Sequence, residues 1–432
     1  MSDSRLSRRE FLSHTLTLFG GSLTVPALLP DSIFGALAPS DQITMGFIGT
    51  GKQGTYLLRA FLNEPGTRVL AVCDVDRLKR ERAQRVANEY YAQEQTAGSY
   101  QGCDMYLDYR ELLDRDDIDS VVIATPDHWH ALMVVDSARS GKDIYCEKPL
   151  SQTIDEGKSM VHAVRRYGRV FQTGSMQRSY QQFRFACELV RNGYIGDIRH
   201  VTVDVGGPPE LCTLPPEPLP EYLDWDRWLG PALRRPYNSE LSPHISNDIF
   251  PHWRSYRAFG GGGMTDWGAH HFDIAQWALG MDQSGPVEIH PPDERGYEVL
   301  TYRYANGITM SRNTFEEGHG VLFEGTDGKI VVNRSYIQTW PESLAEVTLA
   351  PDEVHLYKSN NHYADFLQAV RSRSKPICDI AVGYRTVSVC HLGNIAYELK
   401  RPLHWDPAQA NCVNDPDAAR LLGRAYRKPW RL

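Results

Sequence analysis

The segment from Ile43 to Asp74 constrains the fold of this chain more than any other. An apolar run, ITMGFI, leads into Gly49-x-Gly51-x-x-Gly54. An amphipathic stretch follows, and a second apolar run, VLAVC, closes on Asp74. Each glycine has a separate physical job. Gly49 permits the tight turn out of a strand, Gly51 lets backbone N–H groups approach a pyrophosphate, and Gly54 lets the next helix pack closely on the sheet. An acidic residue about 20 residues beyond the glycines completes a dinucleotide-binding pattern. Gly49, Thr50, Gly51, Gln53, Gly54 and Asp74 are therefore the expected cofactor contacts of this unit. A carboxylate at the end of the second strand accepts hydrogen bonds from ribose hydroxyls and repels a 2′-phosphate, so NAD is favoured over NADP. Arg77, Lys79 and Arg80 follow closely and read as a solvated basic face at a helix start.

Beyond this unit, strand-like runs alternate with helical spacing: DSVVIAT, KDIYCE and RVFQTG succeed the first two strands. Such alternation means a parallel sheet with helices on both faces. The predicted fold is an α/β N-terminal Rossmann domain, doubly wound, over residues 39–174. Residues 91–104 read as a surface insertion before its third core strand. From residue 175 the pattern changes. A helix at 181–191 and a strand, IRHVTVDV, precede a Pro-rich passage from 206 to about 236. A Gly run, Gly260 to Gly263, opens a predicted helix through Leu279. Four alternating strands follow, GYEVLTYRY, GITMSRNTF, GVLFEGT and GKIVVN, with hairpin turns at Asn306-Gly307 and Asp327-Gly328. Residues 175–432 are thus expected to form an α+β domain with a large, mostly antiparallel open sheet. Helices within 362–399 would pack back on the Rossmann domain, and the tail from Pro402 would wrap the surface.

The 432 residues suit two domains plus an end segment. A formal charge of −8, with no long basic run, gives no hint of nucleic-acid binding, and no nucleic-acid partner is expected. Past the N-terminal region no segment approaches the roughly 20 apolar residues of a membrane span. The eight cysteines include no CxxC pair, so no metal site is expected. The N-terminus reads Ser7-Arg8-Arg9-Glu10-Phe11-Leu12, then a moderately apolar run, then Ala36-Leu37-Ala38 before Pro39. This is the layout of a twin-arginine signal peptide over residues 1–38, implying export to the periplasm and a mature chain with no membrane span.

Two features carry the candidate chemistry. Lys148, in Glu147-Lys148-Pro149, follows the strand KDIYC, and the carboxyl end of such a strand is where a doubly wound sheet holds its ligand. Asp266, His270 and Asp273 are spaced i, i+4 and i+7 on the helix opened by the Gly run, so they share a face. An imidazole one turn from a carboxylate makes a base with an orienting partner. The same spacing also fits a capping Asp266 and a satisfied core histidine. His270 and His271 diverge on a helix and make a poor metal-ligand pair. Trp, Arg, His and Gln side chains cluster between Gln177 and Trp267, the mixture that stacks on sugar rings and bonds their hydroxyls. Gln177, Arg178, His252, Trp253 and Arg254 are the predicted substrate contacts.

Taken together, these residues resemble the glucose–fructose oxidoreductase / inositol dehydrogenase / rhizopine catabolism (Gfo/Idh/MocA) family. The resemblance rests on Gly49-x-Gly51-x-x-Gly54, on Thr125-Pro126-Asp127-His128-Trp129-His130, on Glu147-Lys148-Pro149 and on Gly261-Gly262-Gly263-x-x-Asp266-x-Gly268-x-His270-x-x-Asp273. The family usually carries Asn where this chain has Asp127. The Pro- and Trp-rich insertion and the segment 419–430 resemble an exported subgroup. The resemblance adds Thr125, Pro126, His130, Glu147 and Lys148 to the cofactor contacts. It makes Lys148 and His270, with Asp266 beside His270, the catalytic set around the reacting carbinol, and it suggests dimers or tetramers formed through the open sheet face. The leading expectation is an NAD-dependent dehydrogenase acting on a secondary alcohol of a sugar or glycoside, with the ring 3-position as candidate carbon and a tightly bound nicotinamide. A glycosidase using transient C3 oxidation and elimination is the first alternative, and it needs a second base, sought among Tyr and His residues from His244 to Tyr256. A non-catalytic sugar-binding protein that keeps the nucleotide as a structural ligand is the second.

Overall fold

The structure, a computed structural model, describes residues 42–293, 296–317 and 319–432. The leader predicted at residues 1–38 lies outside the described residues. Six strands form the first sheet: β1 (Ile43–Ile48), β2 (Thr67–Cys73), β3 (Asp104–Tyr106), β4 (Ser120–Ile123), β5 (Asp143–Cys146) and β6 (Phe171–Thr173). All pair in parallel, in the order β3-β2-β1-β4-β5-β6. The order reverses between β1 and β4, and ligands of open α/β sheets lie in the crevice above such a switch point. β4 and β5 are buried at every residue because helices cover both faces, which is why their sequences are apolar runs rather than alternating ones. The covering helices are α1 (Lys52–Leu62), α2 (Arg77–Tyr90), α3 (Asp127–Arg139) and α4 (Ile154–Arg166). Asp76 caps α2 by accepting from the Leu78 and Lys79 amides.

The second part of the chain runs α5 (Gln181–Arg191), β7 (Ile198–Val203), α6 (Gly263–Asp266), α7 (Gly268–Ala278), then β8 (Glu288–His290), β9 (Thr301–Arg303), β10 (Thr309–Arg312), β11 (Val321–Gly325), β12 (Lys329–Val332) and β13 (Ile337–Trp340). With β14 (Leu403–Asp406) and β15 (Asn411–Cys412) these strands make a nine-stranded sheet ordered β13-β12-β11-β7-β10-β9-β8-β14-β15. Every pair is antiparallel except β7 with β10. Both expected hairpins form, β9–β10 around Gly307, whose φ is 87°, and β11–β12 around Gly328.

Three local expectations change. The helix predicted from the Gly run through Leu279 is divided at Trp267. The His270 amide bonds the Trp267 carbonyl three residues back, a tighter turn than the α-helix makes. A Cβ on Gly268 would lie 2.9 Å from Cys390 Sγ, so the break sits where α7 presses on a neighbouring helix. The stretch 91–104 leads into the edge strand β3, which periodicity alone does not show in three residues. The tail does more than wrap the surface, since β14 and β15 extend the second sheet, with Leu403 and Trp405 buried.

Two late helices, α8 (His362–Ser372) and α9 (Ile380–Leu399), join the first sheet's core. Phe366, Leu367 and Val370 of α8 share one apolar cluster with Phe47, Phe61 and Tyr145. A Cβ on Gly383 of α9 would lie 2.3 Å from Thr173 Oγ1, so this helix lies directly against β6. Ion pairs Arg373–Asp143 and Arg165–Asp379 pin both helices there. The Pro-rich segment crosses to the β2–α2 junction, where the Arg77 amide bonds the Tyr222 carbonyl at 2.8 Å and the Asp224 amide bonds that of Val75 at 3.1 Å. It has its own small core of Trp225, Trp228, Tyr237, Trp253 and Phe259.

Candidate active site

A cavity of about 390 Å³ opens above the carboxyl ends of β1, β2, β4 and β5. That size falls in the roughly 300–1,000 Å³ range of small-molecule sites. Its lining includes Gly49, Gly51, Lys52, Gln53, Asp74 and Lys79 from the glycine-loop side of the sheet, and Lys148, Trp253, Arg254, Asp266, His270 and Arg334. Thr125, Pro126, Asp127 and Glu147 line it as well.

The glycine loop fits a pyrophosphate on three observations. Gly49 has φ of 86°, the left-handed conformation the turn demands. A Cβ on Gly54 would lie 1.9 Å from the Gly49 carbonyl oxygen, so α1 sits as close to the loop as a backbone can. A Cβ on Gly51 would meet nothing within 4 Å, leaving open space before the first turn of α1, which has no side-chain cap and no acidic residue. The first amide donors of α1 thus face the cavity, an arrangement that attracts anions. Asp74 is held ready: its Oδ2 accepts from the Thr50 amide at 2.7 Å and its Oδ1 from the Asp76 amide at 2.9 Å. Burial pushes the Asp74 carboxyl up, against the pull of Lys79. Thr50 is wholly buried and acts through Asp74 rather than on the cavity wall.

At the reacting end, Lys148 leaves the Rossmann sheet after β5 and meets α6 from the second part of the chain. Its Nζ lies 2.6 Å from Asp266 Oδ1 and 3.0 Å from the Asp266 carbonyl oxygen. Asp266 therefore serves Lys148, not His270 as the i, i+4 spacing suggested. Burial opposes ionisation of Asp266, but Lys148, Arg254 and Arg334 overcome it and hold the carboxyl below its usual value. His270 is buried on the cavity wall, and its Nδ1 has no hydrogen-bond partner within the protein. Burial, with the charges of Lys148 and Arg334 behind it, holds its imidazole well below the ordinary range, so it is neutral. Glu147 accepts from Gln53 Nε2 at 2.7 Å and from the Lys148 amide at 3.1 Å, which joins the glycine loop to the lysine loop. Burial pushes Glu147 up and Asp127 well above the usual carboxylate range.

Other expected contacts have structural posts. His130 is buried off the cavity, its ring nitrogens 2.9 Å from the Pro149 and Thr125 carbonyls, so it braces the lysine loop. Arg178 does not face the site. It is 1% exposed and clamped by Asp273 (2.7 Å) and Asp282 (2.7 Å). Asp273 accordingly leaves the catalytic face and accepts from Arg178 and Thr386. His252 is solvent-exposed and does not line the cavity. Gln177 lies behind the wall, its amide nitrogen 3.2 Å from the His270 carbonyl and its oxygen 3.0 Å from Arg334 Nε. The cavity contributors that sequence reasoning passed over are Arg334, at the β12–β13 turn, and Trp430, near the C-terminus. Trp430 packs edge-on against Trp129 at 4.8 Å. Arg334 carried no motif, and its only signal is its place in a tight turn.

Among the described residues no group of His, Cys, Asp and Glu is arranged to hold a metal, and no helix is long and apolar enough to cross a membrane. The eight cysteines, all within the described residues, are unpaired.

Two Gfo/Idh/MocA family profiles match the chain: "Oxidoreductase family, NAD-binding Rossmann fold" over residues 43–175 and "Oxidoreductase family, C-terminal alpha/beta domain" over residues 210–432. The matched N-terminal domain makes NAD the cofactor. Among curated proteins, "Glycosyl hydrolase family 109 protein 1" of Shewanella sp. (strain MR-4) is 33% identical over 171 residues, 39% of this chain and 36% of that protein. The "Alpha-N-acetylgalactosaminidase" of Shewanella oneidensis is 32% identical over 170 residues, with the same shares. The matched segment spans only 36% of the length of these two relatives. Among solved structures, the WlbA dehydrogenase from Bordetella pertussis, in complex with NADH and UDP-GlcNAcA, aligns with a TM-score of 0.58 at 15% identity, covering 84% of this chain and 99% of that one. At that identity the likeness is one of fold.

Proposed function

We propose, because this chain belongs to the Gfo/Idh/MocA oxidoreductase family, that it moves a hydride between a secondary alcohol of a sugar or glycoside and a tightly held NAD. The ring 3-position is the candidate carbon. The observation that carries this reading is the meeting of Lys148 and His270, from the two parts of the chain, on the wall of the cavity that holds the glycine loop and Asp74. The nicotinamide, when bound, supplies the redox chemistry. His270, neutral and on the cavity wall, takes the proton of the substrate hydroxyl as that carbon is oxidised. Lys148, anchored by Asp266, steadies the negative charge that develops on the oxygen. Asp74 favours NAD over NADP through its carboxylate at the ribose end.

Tight retention is supported by the strap across the groove. Lys52 pairs with Asp248 at 3.4 Å, Lys79 reaches Ser242 at 3.3 Å, and Trp430 closes on Trp129. Incubating the holoprotein with glucosides and galactosides, then weighing the products, tests the proposal: a keto-sugar, or a change in nicotinamide absorbance, is expected. Lys148→Ala and His270→Ala variants should each lose roughly 10²–10⁴-fold in turnover while keeping NAD. Full activity in both sinks the assigned roles.

A second reading, an NAD-dependent glycosidase that oxidises, eliminates, hydrates and reduces again, is favoured by the names of the Shewanella relatives. It requires a further base. Of residues 244–256, Phe250, Pro251, Trp253 and Arg254 line the cavity, whereas His244, His252 and Tyr256 do not. Free sugar released from a nitrophenyl glycoside with no net NADH would select this reading. Retained NAD with no product from any glycoside would select a non-catalytic sugar binder. The chain is further proposed to be exported by the twin-arginine route, from Arg8-Arg9-x-Phe11-Leu12, and to form dimers or tetramers through the outer face of the nine-stranded sheet. Fractionation and light scattering test these two points.

A further inference from the structure

The reacting end of the cavity holds more cations than the proposed chemistry uses. Arg334 stands at its mouth on the turn between β12 and β13. Its guanidinium lies 4.9 Å from the Trp267 ring centroid, and its Nε is taken by Gln177. No carboxylate of the described residues lies within ion-pairing distance of it. Arg254, on the short turn 252–255, lies 4.3 Å over Trp253 and 5.2 Å over Phe250, with one terminal nitrogen on the Pro251 carbonyl at 3.1 Å. Its Nε is 3.8 Å from Asp266 Oδ1, the oxygen that Lys148 already holds at 2.6 Å. Aromatic stacking fixes both guanidinium planes before any ligand arrives.

Lys148 and Arg254 thus share one carboxylate, and Arg334 is left without one. The other two acidic groups nearby do not redress the balance. Glu147 is turned to Gln53 and the Lys148 amide beneath the lysine loop, and Asp127 is buried at the start of α3. Arg254 bears on both carboxyls, but neither lies within ion-pairing distance of Arg334. The cradle for the cofactor phosphates is the first turn of α1, whereas the contacts of Arg334 are Trp267 and Gln177. A neutral sugar hydroxyl would leave the Arg334 guanidinium without an anionic partner. A planar carboxylate would match a guanidinium fork with two parallel hydrogen bonds.

We propose that the sugar substrate carries a carboxylate, as a uronide does, and that Arg334 with Arg254 receives it. The inference rests on the dehydrogenase reading above. It is tested with holoprotein by comparing kcat/KM for an aryl glucuronide or galacturonide, its methyl ester, the parent neutral glycoside and a sulfated counterpart. The acid should exceed its ester roughly 10–100-fold, and added salt should erode that margin. Arg334→Gln, a change on an exposed turn whose folding is checked by Tm, should shrink the acid-to-ester ratio toward unity. The ratio distinguishes charge recognition from a general loss of activity. An ester or neutral glycoside equal to or better than the acid overturns the inference and leaves the dehydrogenase reading intact, as does a preference for the sulfated sugar. If no member of the panel is oxidised, both readings fall together.

Discussion

Two alanine substitutions one turn apart in the glycine loop should behave as opposites. At Gly51, whose φ of −63° suits any residue, an added methyl meets nothing within 4 Å. The cofactor-free fold should accept it, with stability changed by less than about 0.5 kcal/mol, as is usual for open surface positions. The same methyl would stand between the first amides of α1 and a pyrophosphate. Losing one charge-assisted hydrogen bond costs about 1.5–3 kcal/mol, or roughly a 10–150-fold weaker NAD affinity. At Gly54 the methyl lands 1.9 Å from the Gly49 carbonyl oxygen. Ordinary contact needs about 3.4 Å, so α1 or the loop must retreat by about 1.5 Å, an overpacking strain of about 1–3 kcal/mol or more. Its Tm should fall by roughly 2–12 °C, taking about 2–4 °C per kcal/mol, and NAD should be lost as well. Both effects are read by thermal unfolding of stripped protein and by titration of NAD against intrinsic tryptophan fluorescence. Parent-like NAD affinity in Gly51→Ala would refute the placement of the pyrophosphate. An unchanged Tm in Gly54→Ala would refute the close packing of α1 on the loop.

The remaining predictions concern charge. His270 is held well below the ordinary range of about 6.5 by burial and by Lys148 and Arg334, so it remains a neutral base below that pH; the acid limb of a kcat/KM profile should therefore lie below pH 6, and a limb near 7 would contradict the assignment. Asp266 has a lowered pKa, so its stabilising ion pair is fully present above about 3.9 and is lost as pH falls through its folded value. Asp266→Asn should cut turnover roughly 10-fold or more by loosening Lys148, with Tm little changed because the pair is partly exposed. Arg178→Met should leave Asp273 and Asp282 facing each other without their cation, a loss of about 3–5 kcal/mol seen as a large drop in Tm. A parent-like Tm with weakened sugar binding would instead restore Arg178 to the substrate site.

Much was legible from the chain alone because the relevant signals are local. A strand, three glycines and an acid at fixed spacing define a turn whose geometry depends on no distant residue, and alternation against 3.6-residue periodicity separates the two sheets. Gly49, Gly51 and Asp74 reach the cavity for that reason. What spacing could not decide was which partner each charged group takes. Asp266 and His270 are one turn apart in sequence, yet the division of the helix at Trp267 gives Asp266 to Lys148, 118 residues away. Arg178 and Asp273 read as site residues until folding brings them together in the interior, 95 residues apart. Arg334 and Trp430 carry no motif, and the strand pairing of β12 with β13 and the packing of the tail on Trp129 deliver them to the cleft. Ion pairing and burial depend on distance in space, and only the folded chain sets that distance.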